Sequence, residues 1–358
     1  MSPRAPVARR TKAFSSHVGL TDRIFSSASD RAMATAIDEG LERVETGLQD
    51  QVQFADVVAD PFSRYLLDAG GKRVRPLLTL LTAQFGEGIT DRVITAAEAV
   101  EITHLASLYH DDVMDDAEQR RGVPSAQTVW GNSIAILTGD LLFARASKLI
   151  AQIDGASAVA QSSTFERLVL GQLHETVGPS HGEDAVEHYL GVLSDKTGAL
   201  IAAAAEWGIA FSGAPEQYRQ PVRLFGERIG VAFQLVDDVI DLSPEAADTG
   251  KVPGTDLRTG VPTLPLLYLR RNALTDGVAA ALVARIDDLV EAVEAGIEDP
   301  GALESAVAEL RVHEVTARTT REAHRWAAEA IAALDELPDV PARHALVRFA
   351  DLLVERSS

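Results

Sequence analysis

No cysteine occurs in the 358 residues. Disulfides and thiolate chemistry are therefore excluded, and the chain suits a reducing compartment. No uninterrupted apolar run reaches the roughly 18 residues of a membrane span; the most apolar stretch, Gly198 to Phe211, is broken by Glu206. The N-terminus carries Arg4, Arg9, Arg10 and Lys12 with no apolar core behind them, so no secretory signal is expected. Residues 1–20 are expected to be a disordered tail. Convincing alternating strands are missing, as is any repeat of solenoid period. Positive charge is also scarce: 33 Lys and Arg face 53 Asp and Glu, a formal charge of -20. That balance argues against a general nucleic-acid binder and against polybasic membrane attachment. A cytoplasmic protein is the expectation.

Helical periodicity is abundant. Apolar residues recur at three- and four-residue spacing over Ala32 to Val57, Ile94 to Met114, Ser133 to Ile150 and Ser163 to Thr176. The same spacing runs through Val186 to Phe211, Tyr218 to Asp241 and Leu264 to Ala273, and continues to the C-terminus. Turn residues punctuate the pattern at Gly70-Gly71, Gly122 to Pro124, Gly178 to Gly182, Gly213 to Pro215, Pro244 to Pro265 and Asp299 to Gly301. With 46% hydrophobic residues the chain can bury a large core. The expectation is one all-α domain over 21–358, in which a helix apolar on most faces is surrounded by others.

Two acidic motifs interrupt this apolar background. One is Asp111-Asp112-Val113-Met114-Asp115, followed by Asp116; the other is Asp237-Asp238-Val239-Ile240-Asp241. Carboxylates within apolar helical sequence are costly unless a cation accompanies them. Residues four apart share a helix face, so Asp111 pairs with Asp115 and Asp237 with Asp241. Two such helices facing each other would present oxygen ligands around a cavity, which suits Mg²⁺ with a phosphate completing its shell. The first motif runs on to Arg120-Arg121-Gly122, the order expected of a metal cluster followed by a diphosphate clamp. A solvated, salt-bridged helix end is the alternative for one motif, and the second copy argues against it.

Basic and polar residues supply further candidates. In Gly70-Gly71-Lys72-Arg73-Val74-Arg75-Pro76, glycine permits close backbone approach and Pro76 suits a helix's first turn. Lys72 and Arg75 would then sit at an anion-favouring helix N-terminus, although a solvated basic turn fits as well. His104 lies two helical turns before Asp111 on the same face and is either a phosphate donor or an ordinary core histidine. Lys196-Thr197, Gln234 and the Gly/Pro-rich segment Gly250 to Leu257, with Lys251, complete the set. That segment reads as a lid over a phosphate or as a plain connector.

Together these residues resemble the trans-isoprenyl diphosphate synthases, the polyprenyl synthetase family, over about Asp60 to Leu269. The marks that carry the resemblance are GGKRVRP at Gly70 to Pro76, HDDVMDDAEQRRG at His110 to Gly122, Gly139-Asp140, Gly171-Gln172, Lys196-Thr197, FQLVDDVID at Phe233 to Asp241 and GKVPGTDL at Gly250 to Leu257. The resemblance implies an isoprenoid-synthase-type helical bundle around a central cavity, usually homodimeric. It implies Mg²⁺ as cofactor, about three ions with substrate bound, and isopentenyl diphosphate and an allylic diphosphate as substrates. Asp111, Asp115 and Asp237 would be metal ligands, supported by Asp112, Asp238 and Asp241. Lys72, Arg75, His104 and Arg121 match the homoallylic diphosphate site; Arg120, Lys196, Thr197, Gln234 and Lys251 match the allylic one. Lys196 counts with the aspartates among the catalytic candidates. Two positions depart from the family pattern: His174 and Val261 stand where many relatives carry Arg and Lys.

The implied reaction is head-to-tail prenyl transfer giving an all-trans polyprenyl diphosphate. Ala106 and Ser107, about one helical turn before Asp111, are small, so the tunnel floor is expected to be open and the product long, a quinone side-chain precursor. A short-chain farnesyl or geranylgeranyl diphosphate synthase and a non-catalytic partner subunit are the alternatives. A terpene cyclase fits less well, because its second metal motif is usually not Asp-rich and it lacks the Lys72/Arg75 site.

Overall fold

The computed structural model describes residues 21, 23–25, 30–243, 253–297 and 299–355. Lys251, the expected tail over 1–20 and residues 244–252 of the Pro244 to Pro265 punctuation lie outside these residues. The described chain is all-α apart from one minimal hairpin. In order, the helices are α1 (Arg31–Val52), α2 (Ala59–Asp68), α3 (Val74–Thr82) and α4 (Asp91–Met114), then strands β1 (Gln119–Arg120) and β2 (Val123–Pro124). Next come α5 (Ala126–Trp130), α6 (Asn132–Ile153), α7 (Gly155–Val177), α8 (Ala185–Leu193), a π-helical turn over Ser194–Gly198, and α9 (Ala199–Phe211). The chain continues with α10 (Arg219–Asp241), α11 (Thr255–Arg258), α12 (Leu264–Ala273), α13 (Gly277–Glu294), α14 (Pro300–Val312), α15 (Glu314–Ala333) and α16 (Pro341–Val354).

The chain divides into two compact units. One comprises residues up to Glu166 together with Leu200–Leu224 and Leu334–Phe349; the other comprises Arg167–Ala199, Phe225–Ala333 and Ala350–Ser358. In the first unit α4 is the central helix. Thr90 caps it, accepting from the Val93 N–H. Ala96, Ala97, Ala99, Val100, Ile102, Leu105, Ala106 and Tyr109 are all fully buried, so α4 is enclosed on every face and packs against α1, α3 and α6. In the second unit α12 has the corresponding role, with α8, α13 and α15 around it.

Three local departures from the periodicity have physical causes. The first helix stops at Val52, not Val57, because the Asp56 carboxylate accepts from the N–H groups of Val58 and Ala59 and so starts α2 instead. The run from Val186 to Phe211 is broken by the π turn. A β-turn hairpin follows the first acidic motif, its two central residues, Arg121 and Gly122, both at positive φ, which matches the twist of paired strands.

Glu98 of α4 lies against the α1 backbone at Gly47 and is almost fully buried. Burial, helped by the nearby Asp50 charge and opposed by Arg43, pushes its carboxyl up to about 7 from an ordinary 4.5. The folded state therefore holds this proton more tightly than the unfolded one. The associated stability is fully present below about pH 4.5 and is lost as pH rises through about 7. Glu98→Gln, neutral at every pH, should be more stable than the parent at pH 8 by about 2–3 kcal/mol and equal to it at pH 4.5. Urea unfolding of both proteins across this range checks the crossover.

Candidate active site

The basic turn is built first. Gly70 and Gly71 have φ of 105° and 149°, and Arg73 takes φ 49° at the N-cap of α3. A Cβ on Gly71 would sit 2.6 Å from an Arg73 guanidinium nitrogen and 3.0 Å from the Arg121 guanidinium carbon. Glycine there lets two cations approach the backbone. Arg73 is buried; its Nε donates to Glu45 Oε2 at 2.8 Å and a terminal nitrogen donates to Glu101 Oε1 at 3.2 Å. Arg121, with φ 54°, donates to the carbonyls of Leu66 (2.8 Å) and Gly70 just past the C-terminus of α2, the favourable end for a cation. Glu101, also buried, lies 4.0 Å from Arg121. Burial, opposed by Glu101 and reinforced by Arg73, Arg120 and Arg75, pulls the Arg121 guanidinium down to about 10.

Arg75 and His104 complete this cluster. Burial lowers Arg75, with Glu101 and Asp111 opposing, and its Nε is buried without a hydrogen-bond partner. Burial and the surrounding Arg75, Arg121, Arg120 and Arg73 hold His104 well below its usual range, so it is neutral near pH 7. Lys72 is exposed. Crowded guanidiniums that depress one another mark a place where an anion is favoured.

The first acidic motif ends α4. Met114 is the last helical residue and Asp115 the C-cap, its N–H donating to the Asp111 carbonyl at 2.8 Å. Asp116 has φ 47°. Of the adjacent pair, Asp112 is the buried member: one oxygen accepts from Arg120 Nε at 2.6 Å and the other, Oδ2, is buried without a hydrogen-bond partner. Asp111 is half-buried, and Asp115 and Asp116 are exposed. Carboxylates at a helix C-terminus add to the negative potential of its unpaired carbonyls, an arrangement that favours a cation.

The second acidic motif also ends its helix, α10, and belongs to the second unit. Asp238 is buried; its Oδ2 accepts from the Tyr189 hydroxyl at 2.7 Å and from the Leu264 N–H at 3.2 Å. Burial pushes this carboxyl up to about 7 despite both hydrogen bonds. Asp241 Oδ2 accepts from the Asp256 N–H at 3.1 Å and its carbonyl from the Gly254 N–H at 2.7 Å, which ties the start of α11 to the motif. Asp237 and Gln234 are half-buried on the same helix. Lys196 and Thr197 sit in the π turn, with Lys196 Nζ paired to Glu175 of α7. Of the two departures, His174 is exposed and bonds through its carbonyl to His188, and Val261 is exposed.

Among the described residues no three His, Asp or Glu groups are arranged to hold a metal by themselves. The donors nevertheless fit a hard divalent cation. At the C-terminus of α4 they include Asp112, with one buried oxygen lacking a hydrogen-bond partner, near guanidiniums suited to a phosphate that would finish the shell.

Comparison with known proteins decides the family. The polyprenyl synthetase family model matches residues 57–297. The chain belongs to the polyprenyl synthetase family. It is a trans-polyprenyl diphosphate synthase, a prenyltransferase. It is 42% identical to a nonaprenyl diphosphate synthase of Mycobacterium tuberculosis over 91% of this chain and 95% of that protein. Its fold matches the geranylgeranyl pyrophosphate synthase of Corynebacterium glutamicum, solved with calcium and isoprenyl diphosphate, at a TM-score of 0.79 and 38% identity, covering 93% and 99% of the two chains. It likewise matches a decaprenyl diphosphate synthase of Rhodobacter capsulatus at 0.78 and 32% identity, covering 94% and 99%.

Several residues that organise the synthase were not singled out from sequence: Glu45, Arg73, Glu101 and Tyr189. Arg73 was visible within the basic turn, whereas its carboxylate partners lie on α1 and α4, and no local spacing announces them. Glu101→Gln would leave buried guanidiniums on Arg73 and Arg121 with less compensation. It should cost the synthase about 3 kcal/mol of stability, read as a lower urea midpoint.

Proposed function

We propose that this synthase extends an allylic diphosphate with isopentenyl diphosphate, dependent on Mg²⁺, to a long product of roughly seven to ten isoprene units. The crowded, partly depressed guanidiniums around His104 carry this reading, because they form an anion site beside a carboxylate cluster. Lys72, Arg75, His104 and Arg121 are assigned to isopentenyl diphosphate. Neutral His104 offers one N–H to a phosphate oxygen without adding charge. Arg120, Lys196, Thr197, Gln234 and Lys251 are assigned to the allylic diphosphate. Asp111, Asp115 and Asp237 are the proposed metal ligands, and the bound cation would supply electrostatic stabilisation of the departing diphosphate.

In the reaction the allylic C–O bond breaks and its electron pair leaves with the diphosphate, whose charge Arg120 and Lys196 offset. The double bond of isopentenyl diphosphate then attacks the allylic carbon. A proton is lost, with the released diphosphate as its acceptor, and an allylic diphosphate one unit longer remains. Water is kept out by apolar helices, since it would trap the cation.

Long products are supported by the identity to nonaprenyl and decaprenyl synthases and by the small, buried Ala106 and Ser107. The 38% identity to a geranylgeranyl synthase supports a second, short-chain reading. Incubating the protein with Mg²⁺, radiolabelled isopentenyl diphosphate and farnesyl diphosphate, then sizing the dephosphorylated products, decides between them. A homodimer is also proposed. Val169, Leu170, Leu173 and Val177 form an exposed apolar stripe along α7, the kind of face a second copy would cover. Among the described residues no helix is long and apolar enough to cross a membrane.

A further inference from the structure

Lys196 and Thr197 owe their place to a π turn that Ser-Asp-Lys-Thr-Gly has no local reason to form. Such turns are rare and concentrate at functional sites, so something outside the segment must hold this one. Two constraints are steric. A Cβ on Gly171 of α7 would meet the Lys196 backbone nitrogen at 2.6 Å, and one on Gly198 would meet the Glu227 carbonyl at 3.0 Å. The third is a closed ring of polar side chains around Arg167 of α7. Arg167 Nε donates to Asp195 Oδ1 at 2.9 Å, one terminal nitrogen donates to Glu227 Oε2 at 3.1 Å, and the other lies 2.7 Å from Asp195 Oδ1 and 3.4 Å from Ser194 Oγ. Ser194 Oγ in turn donates to Glu227 Oε1 at 3.2 Å. Two of its three partners, Ser194 and Asp195, are π-turn residues; Glu227 belongs to α10, the helix of the second acidic motif.

We propose that Arg167 is the positioning residue of the allylic diphosphate site, fixing the π turn that presents Lys196 and Thr197. The inference rests on the reading of those two residues as diphosphate ligands. A planar guanidinium can bind two carboxylates and a hydroxyl at once, which a lysine ammonium on its flexible stem cannot reproduce. Arg167 also neutralises Asp195, the residue next to Lys196. Without it, that carboxylate would compete with the diphosphate for Lys196 and repel it. The ring is about a third exposed, so its ion pairs add little to overall stability. Its effect falls on affinity for one substrate.

The test is steady-state kinetics of Arg167→Gln, Arg167→Lys and Lys196→Ala, with KM measured separately for farnesyl diphosphate and isopentenyl diphosphate, and melting temperature for each. Arg167→Gln should raise the farnesyl diphosphate KM about tenfold and change the isopentenyl diphosphate KM less than about twofold, with melting within a few degrees of the parent. Arg167→Lys should recover only part of the loss. A raised farnesyl KM in Lys196→Ala with an unchanged one in Arg167→Gln overturns the inference and leaves the site reading standing. An unchanged farnesyl KM in Lys196→Ala overturns the site reading itself. Equal rises in both KM values, or full recovery by Arg167→Lys, also overturn the positioning role. If Arg167→Gln fails to fold, Ser194→Ala removes one member of the ring without altering charge. It should raise the farnesyl KM about two- to threefold, and no change would overturn the inference.

Discussion

Asp111→Asn should lower kcat/KM by about a thousandfold or more, equivalent to at least about 4 kcal/mol of transition-state stabilisation. Its melting temperature stays within a few degrees of the parent. The two halves of this expectation have separate causes. Asp111 is half-buried at the C-terminus of α4, where unpaired carbonyls already make the potential negative. A carboxylate there contributes little to the fold and suits a cation. On the proposed assignment, removing its charge would weaken the hold on the ion that offsets the leaving diphosphate. Asp112→Asn should behave differently. Asp112 is fully buried and grips Arg120 at 2.6 Å, so its replacement should lower both turnover and melting temperature. Turnover across a Mg²⁺ titration, together with thermal melts, separates the two residues. Activity of Asp111→Asn within tenfold of the parent would remove it from the metal site.

Ala106→Phe should shorten the product to about fifteen to twenty carbons, since an extended isoprene unit spans about one helical pitch. Ala106 lies on α4 roughly one turn before Asp111 and is fully buried; neighbouring Ser107 is also buried, its hydroxyl donating to the His104 carbonyl at 2.9 Å. On the open-floor reading, a ring at this level would fill space that a growing chain would otherwise enter. Overpacking costs about 1–3 kcal/mol, so melting is measured beside product length. Ala106→Leu serves as an intermediate volume and should stop the chain at intermediate sizes. A long product from a well-folded Ala106→Phe would mean that the chain grows past another wall.

Much of the site was legible because its chemistry is local. Four-residue spacing put Asp111 with Asp115 on one helix face, whereas the structure ends α4 at Met114 and makes Asp115 its C-cap. Glycines and Pro76 indicated a helix start, and α3 begins there at Val74. Leu264–Ala273 forms the helix its periodicity indicated. Less was legible where competition between nearby hydrogen bonds decided the outcome. Asp56 bonded the N–H groups of Val58 and Ala59 at the entry to α2, and α1 ended early; Arg121 and Gly122 adopted positive φ and made a hairpin where no strand pattern existed.

By itself the sequence determined the secondary-structure class, the family and the identity of the charged groups, because periodicity, composition and motif spacing are properties of short segments. Tertiary structure decided how those groups are held. It chose Asp112 as the buried member of its pair and Asp238 as a carboxylate held by Tyr189 with a raised proton affinity. It supplied Glu45 and Glu101 to Arg73 from two other helices and closed the ring around Arg167. Each of these depends on which distant side chain shares a low-dielectric space. That is fixed by packing, and residues far apart in the chain carry no local trace of it.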